Sequence, residues 1–280
     1  MEAVYQLLRG VKVLPPSPQV LPKVLDALQH EQTTLEELGE LISLDAVLTA
    51  KLLHYCNSVY FSGREPVASV PEAIGRVGFQ TIFALVSAVS GGRAFNPPAS
   101  SGLDGTQLWR HSLTAAFACK FIADDINTDG NLLFTAGLLH DIGRVVLAQA
   151  KGADYGKLYT EALRAKANVA EREKAAYGFT HAEVGASLME TWKLPKVLVE
   201  AVRFHHQPTA AIFGKQLAAA VCLGDALAHH FEHPAETLAL ANQESQSALE
   251  LLALDNRHVD LYDEQMQENW DFVNRLIALR

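Results

Sequence analysis

Cysteine is scarce. The 280 residues hold three, Cys56, Cys119 and Cys222, far apart in apolar segments. That pattern argues against a disulfide framework and against a zinc-ribbon site. Basic residues are outnumbered, 23 Lys+Arg against 32 Asp+Glu, giving a formal charge of -9. A broad nucleic-acid surface is therefore disfavoured, although a local patch is not. No run approaches ~18 uninterrupted apolar residues, so no segment is expected to span a membrane. The opening MEAVYQLLRG lacks the basic start and long apolar run of a signal peptide. A cytoplasmic protein is the expectation. Strand runs joined by turn pairs are missing too, and so is any solenoid repeat.

What is present is a globular helical chain. The hydrophobic fraction is 49% and the charged fraction 20%, which excludes wholesale disorder. Apolar residues recur at three and four through Leu35-Leu38-Leu41-Ile42, Val47-Leu48-Leu52-Leu53 and Ile82-Leu85-Val86. The short apolar run 81–89 is the best strand candidate, but its Ala and Leu content and the helical segment before it favour helix. Thr34/Glu37, Ser69/Glu72 and Thr180/Glu183 have capping-box spacing, the last placing His181 at the first helical position. Pro195 suits the start of a helix ending near His205-His206. Four prolines within 15–22 read as a rigid lead-in to a helix, or less simply as a polyproline ligand. The stretch 91–102, with Gly91-Gly92 and Pro97-Pro98, does not read as core helix. The expected architecture is all-α in two lobes: an N-terminal lobe over 1–93, a linker over 94–104, and a larger lobe over 105–280.

Chemistry concentrates in the larger lobe. His111, His140 with Asp141, His181, and His205 with His206 stand in apolar or capped helical contexts, and Asp225 sits alone within Ala220–Ala228. Neutral imidazoles and carboxylates are the ligands of Fe, Mn or Zn. An unpartnered carboxylate at Asp225 would carry a large desolvation cost, which a metal, a histidine or an arginine removes. On a regular helix, adjacent His140 and Asp141 point about 100° apart. They share an ion only at the face between them or where the helix is distorted. A pair of ions would polarise a bridging water and hold a phosphate ester for in-line attack. Arg144 follows Asp141 by three, placed either to grip a phosphate or to pair with Asp141 or Asp225. His229, His230 and His233 read as a solvated helix end, and Trp270 with Phe272, Val273, Leu276 and Ile277 as one face of a C-terminal helix.

His111, His140-Asp141 and Asp225, in that order, make residues 105–228 resemble the HD superfamily of metal-dependent phosphohydrolases. The run 41–53, then Asn57-Ser58, 70–78, Leu138–Arg144, Phe179–Gly185 and Leu194-Pro195, resembles the narrower HDOD group (HD-related output domain) over roughly 12–230. The resemblance implies a bacterial signalling or regulatory protein that retains its metal ligands. It would hold one or two divalent transition-metal ions on His111, His140, Asp141, His181, His205, His206 and Asp225, with Asp141 and Arg144 nearest the chemistry. It would act through a regulatory partner protein or a nucleotide or phosphate ligand, with a homodimer as a further option. The alternative is a metal-dependent phosphohydrolase or phosphodiesterase. HD-GYP enzymes, which cleave cyclic di-GMP, carry similar extra histidines. This chain departs from them in lacking Gly-Tyr-Pro after His205-His206, in Arg144 standing for a lysine, and in Gln107 standing where some supply a glutamate.

Overall fold

The computed structural model describes residues 2–11, 14–15, 23–24, 27, 34–57, 67–233, 240 and 242–278. Among these residues there are helices and no strands. The chain forms two compact units, Met1–Pro16 with Phe95–Val273, and Ser17–Ala94 with Asn274–Arg280. The polyproline question at 15–22 lies almost wholly outside the described residues.

Helix α1 (Glu2–Gly10) opens the chain. The smaller unit contains α2 (Leu35–Ser43), α3 (Ala46–Cys56), α4 (Val70–Val77) and α5 (Phe79–Ala94). Its starts are local decisions. Thr34 and Glu37 make the expected reciprocal box, while Ser69 accepts from Glu72 N and Glu72 accepts from Ala68 N instead of the cap residue. Asn57 ends α3 by clamping Val67, accepting from its N–H (2.7 Å) and donating to its carbonyl (2.9 Å). The 81–89 run is helical. Helix α5 also runs through Gly91-Gly92, against the sequence expectation, so two glycines weaken a helix without ending it.

The larger unit is built on α6 (Gly105–Asp125), α7 (Gly130–Leu139), α8 (Ile142–Lys151), α9 (Ala153–Arg164), α10 (Val169–Tyr177), α11 (His181–Thr191), α12 (Lys196–Arg203), α13 (Lys215–Glu232), α14 (Gln243–Leu252) and α15 (Asn256–Ile277). Helix α1 groups with this unit, not with the 1–93 lobe that the sequence suggested. Its buried Val4 and Leu8 are the reason, together with a bond from Tyr5 OH to Glu190 Oε2 (2.7 Å) on α11. The segment after Ala94 also belongs here. Phe95 is fully buried, 5.7 Å from the Trp109 ring. The stretch Gly130–Lys151 is apolar enough by length to cross a bilayer, yet 89% of its most apolar 18-residue window is buried inside the protein, where the stretch forms α7 and α8.

Two close approaches set the frame of the site. A Cβ on Gly137 of α7 would meet Cys119 Sγ at 2.8 Å and Ala115 O at 2.9 Å, so glycine lets α7 lie tightly on α6. A Cβ on Gly143 would overlap the carbonyl of His181 and come within 2.6 Å of Gly185 N. Helix α8 therefore touches α11 backbone to backbone, which places the residue before α8 beside the first residue of α11.

Candidate metal centre

His140 and Asp141 occupy the break between α7 and α8, not a continuous helix. Asp141 is the N-cap of α8, a position where an aspartate ordinarily accepts from its own helix. Here its side chain makes no cap bond and turns inward instead. His111 comes from the second turn of α6. His181 is the first residue of α11, behind the capping box that Thr180 and Glu183 form. His205 and His206 lie in the turn after α12, which ends at Arg203, earlier than the sequence suggested. Asp225 sits in the middle of α13.

All seven residues converge. His111 Nε2 is 2.9 Å and His140 Nε2 3.6 Å from Asp225 Oδ1. His140 Nε2 is 3.4 Å from Asp141 Oδ2, and His181 Nε2 is 3.2 Å from Asp141 Oδ1. His206 Nε2 stands 3.0 Å from His181 Nε2, and the His205 ring centroid is 4.0 Å from that of His206. Among the described residues, ligand-capable atoms come within 4.8 Å of one another in three groups: His111–His140–Asp141, His181–His205–His206, and His111–Asp225–His229.

The histidines are oriented from behind. A carbonyl or carboxylate oxygen only accepts, so the imidazole nitrogen facing it carries the hydrogen. His140 Nδ1 donates to Gly137 O (2.7 Å) and His205 Nδ1 to Val202 O (2.6 Å). His181 Nδ1 donates to Glu173 Oε2 (2.7 Å) and His111 Nδ1 to Glu232 Oε2 (3.0 Å). Each ring thereby turns Nε2 toward the centre, the arrangement that suits metal ligation. Glu173 is itself fixed, accepting from Tyr155 OH (2.7 Å) and His181 N (2.6 Å). Glu232 accepts from Thr114 Oγ1 (3.1 Å).

The donor set fits a cation. His140 Nε2 and His205 Nε2 are buried without a hydrogen-bond partner. Four carboxylates, of Asp141, Glu173, Asp225 and Glu232, crowd the centre against one buried guanidinium, that of Arg144. With neutral imidazoles this leaves surplus negative charge in a poorly hydrated place, a costly state unless cations or protons offset it. The titration tendencies agree. Burial works against a charged His111, but its hydrogen bonds to the Asp225 and Glu232 carboxylates outweigh it and push the group up to about 9. Burial likewise opposes a charged His140, and Asp141 and Asp225 overcome it. Asp141 is held well below the usual carboxylate range: burial would raise it, and Arg144 and His140 prevail. His205 goes far the other way, lowered by burial and by His206, His140 and His181 around it.

Arg144 resolves toward Asp141, its Nε 2.9 Å from Oδ1, and donates from Nη1 to Tyr159 OH (3.1 Å). It also lines a cavity of about 250 Å³ with Asp225, His206 and His229, so the centre has a mouth. His229, read from the sequence as part of a solvated helix end, is 38% exposed in the last turn of α13 but also faces the centre. Its Nε2 is 3.6 Å from Asp225 Oδ1, and its ring centroid is 4.3 Å from that of His111. Burial and neighbouring His111 pull it down to about 4. Asp225, His229 and Glu232 follow helical spacing on one face of α13, so that spacing was the available signal. Glu173 had none, standing within the charged run Glu171–Lys174.

A buried imidazole and carboxylate cluster on an all-helical frame, oriented by outer hydrogen bonds, defines a histidine–aspartate protein suited to binding metal. The HDOD domain model matches residues 14–208, and the chain belongs to that family. Its fold is that of an HDOD domain protein of unknown function from Geobacter sulfurreducens, with a TM-score of 0.77 and 22% identity, covering 100% of this chain and 97% of that one. A candidate phosphohydrolase from Shewanella amazonensis SB2B superposes with a TM-score of 0.71 at 25% identity, covering 98% and 97% of the two chains. An uncharacterized protein of Treponema pallidum is 28% identical over 197 residues, 69% of this chain, and the aligned part spans 37% of that relative's length.

Proposed function

We propose that this chain is a metal-dependent phosphohydrolase of the HDOD family acting on a nucleotide or small phosphate ester, with two divalent ions (Fe, Mn or Zn) in its centre. One observation carries the reading. Asp141, buried and paired with Arg144 at 2.9 Å, stands between His140 at 3.4 Å and His181 at 3.2 Å, joining the two halves of the cluster. His111, His140, Asp141 and Asp225 would hold one ion, and Asp141, His181, His205 and His206 the other. Bound ions would supply Lewis acidity and an activated water. The protein's own part is positional and electrostatic. Arg144 keeps Asp141 ionised and inward-facing, and its guanidinium borders the cavity where a phosphate would lie. The description of the Shewanella protein as a candidate phosphohydrolase supports the same reading.

A regulatory use of the centre is favoured by a different feature. Ile212 and Phe213, 78% and 83% exposed, follow His205-His206 in a loop whose backbone N–H groups donate to Glu200 at 3.1 and 2.6 Å. A rigid apolar pair suits a regulatory partner protein or a second copy of this chain, which would read the state of the centre. The test measures metal content, then turnover of cyclic dinucleotides, linear nucleotides and aryl phosphates by protein loaded with Fe, Mn or Zn in turn. Asp141→Asn keeps the shape and removes the charge. Multiple turnovers in the native protein that vanish in this variant support the hydrolase. Bound metal with no turnover on any substrate refutes it and leaves the regulatory reading.

A further inference from the structure

Two cavities meet over His206. The smaller, described above, carries Arg144 and Lys166 together with Asp225, His229 and Glu244 beside the centre. The larger, about 410 Å³, shares with it Asn168 and Glu244, where Asn168 Nδ2 donates to Glu244 Oε1 (3.3 Å). Its volume falls within the ~300–1,000 Å³ of small-molecule sites. Both cations of the larger cavity are already engaged. Lys174 binds both oxygens of Glu183 at 3.0 Å, and Arg203 binds Glu190 at 2.8 Å. Glu171 and Glu244 add further negative charge to its wall. A phosphate is therefore unwelcome there. The remaining lining offers the half-buried Phe204 ring and the amides of Gln207 and Asn168, which present donors and acceptors together.

We propose that this larger cavity is a nucleoside subsite, taking the uncharged heteroaromatic base and sugar of a ligand whose phosphate faces the smaller cavity. The inference rests on the phosphohydrolase reading for its phosphate end only. Phe204 supplies a stacking face, the two amides read polar edges of the base, and the Asn168–Glu244 bond yields as the ligand passes His206. In hydrolysis of such an ester, the oxygen of water bonds to phosphorus. The bond from phosphorus to the leaving oxygen breaks with its electron pair, and the proton from water passes to solvent.

Two diesters with one leaving group isolate the nucleoside: thymidine 5′-(p-nitrophenyl phosphate) and methyl p-nitrophenyl phosphate. With metal-loaded protein, the thymidine ester is expected to have a kcat/KM about 5–150-fold higher, the span of one base-stacking contribution. Gln207→Trp fills the cavity from an exposed turn, and Phe204→Ala removes the stacking face. Both are expected to collapse that ratio toward one. Equal values for the two esters, or a ratio that survives both variants, overturns the subsite and leaves the hydrolase standing. If neither ester turns over, calorimetric binding of thymidine 5′-monophosphate against inorganic phosphate decides. A margin for the nucleotide that both variants abolish supports the subsite while refuting the hydrolase, and no margin overturns both.

Discussion

Glu173→Gln tests the centre from behind. Glu173 touches no ion site directly; it accepts from His181 Nδ1 at 2.7 Å, His181 N at 2.6 Å and Tyr155 OH at 2.7 Å. A glutamine oxygen can still accept both His181 hydrogens, and the tyrosine hydroxyl can rotate to accept from the new amide, so the packing survives. What disappears is a negative charge behind the imidazole, and with it part of the basicity of His181 Nε2. Removing an outer-shell partner of this kind costs about 10–100-fold in metal affinity, which is ~1.4–2.8 kcal/mol at 1.4 kcal/mol per tenfold. The loss is expected to fall on one ion only. His181 belongs to the group with His205 and His206, while His111 is supported separately by Glu232. The assay is a titration of metal-free protein with Mn or Zn against a chromophoric chelator, with stoichiometry from elemental analysis. The expected result is one unchanged site and one weakened site, with Glu232→Gln weakening the other. Equal weakening of both sites by each variant, or no weakening by either, would refute the assignment of separate outer supports.

Three further outcomes follow from the geometry. Gly143→Ala forces a methyl into the His181 carbonyl, and a loss of ~1–3 kcal/mol is expected for such overpacking. Urea unfolding in the presence of chelator measures it, and full native stability would refute the close approach. Metal uptake at pH 7 is expected to release protons and to strengthen as pH rises toward 9, because the carboxylates hold His111 up to about 9 and an ion must displace that proton. Calorimetry in buffers of different ionisation enthalpy checks the sign; uptake without proton release would contradict it. Adding ion at about 100 times its dissociation constant is expected to stabilise the fold by ~2.7 kcal/mol per independent site. Thermal melts with and without chelator read the shift, and identical melts would argue against a resident metal.

Local chemistry was legible in the chain itself. Thr34/Glu37 and Thr180/Glu183 announced their helices because a capping box is a contact between residues three apart. Helical periodicity excluded a sheet for the same reason. His111, His140, Asp141, Arg144 and Asp225 could be picked out as chemically unusual in their apolar contexts. Sequence-local signals could not set how the centre closes. His111 and Asp225 are 114 residues apart, and their 2.9 Å contact exists only because α6 and α13 pack together. Helix α5 continues through Gly91-Gly92 although local propensity alone argued for a stop. Glu173 gave no sign of itself within the charged run Glu171–Lys174, yet it is fully buried behind His181. The sequence determined which side chains were available as ligands. The tertiary structure decided which ring nitrogen each histidine presents, because that choice depends on acceptors, Gly137 O, Val202 O, Glu173 and Glu232, held in place by the packing of helices.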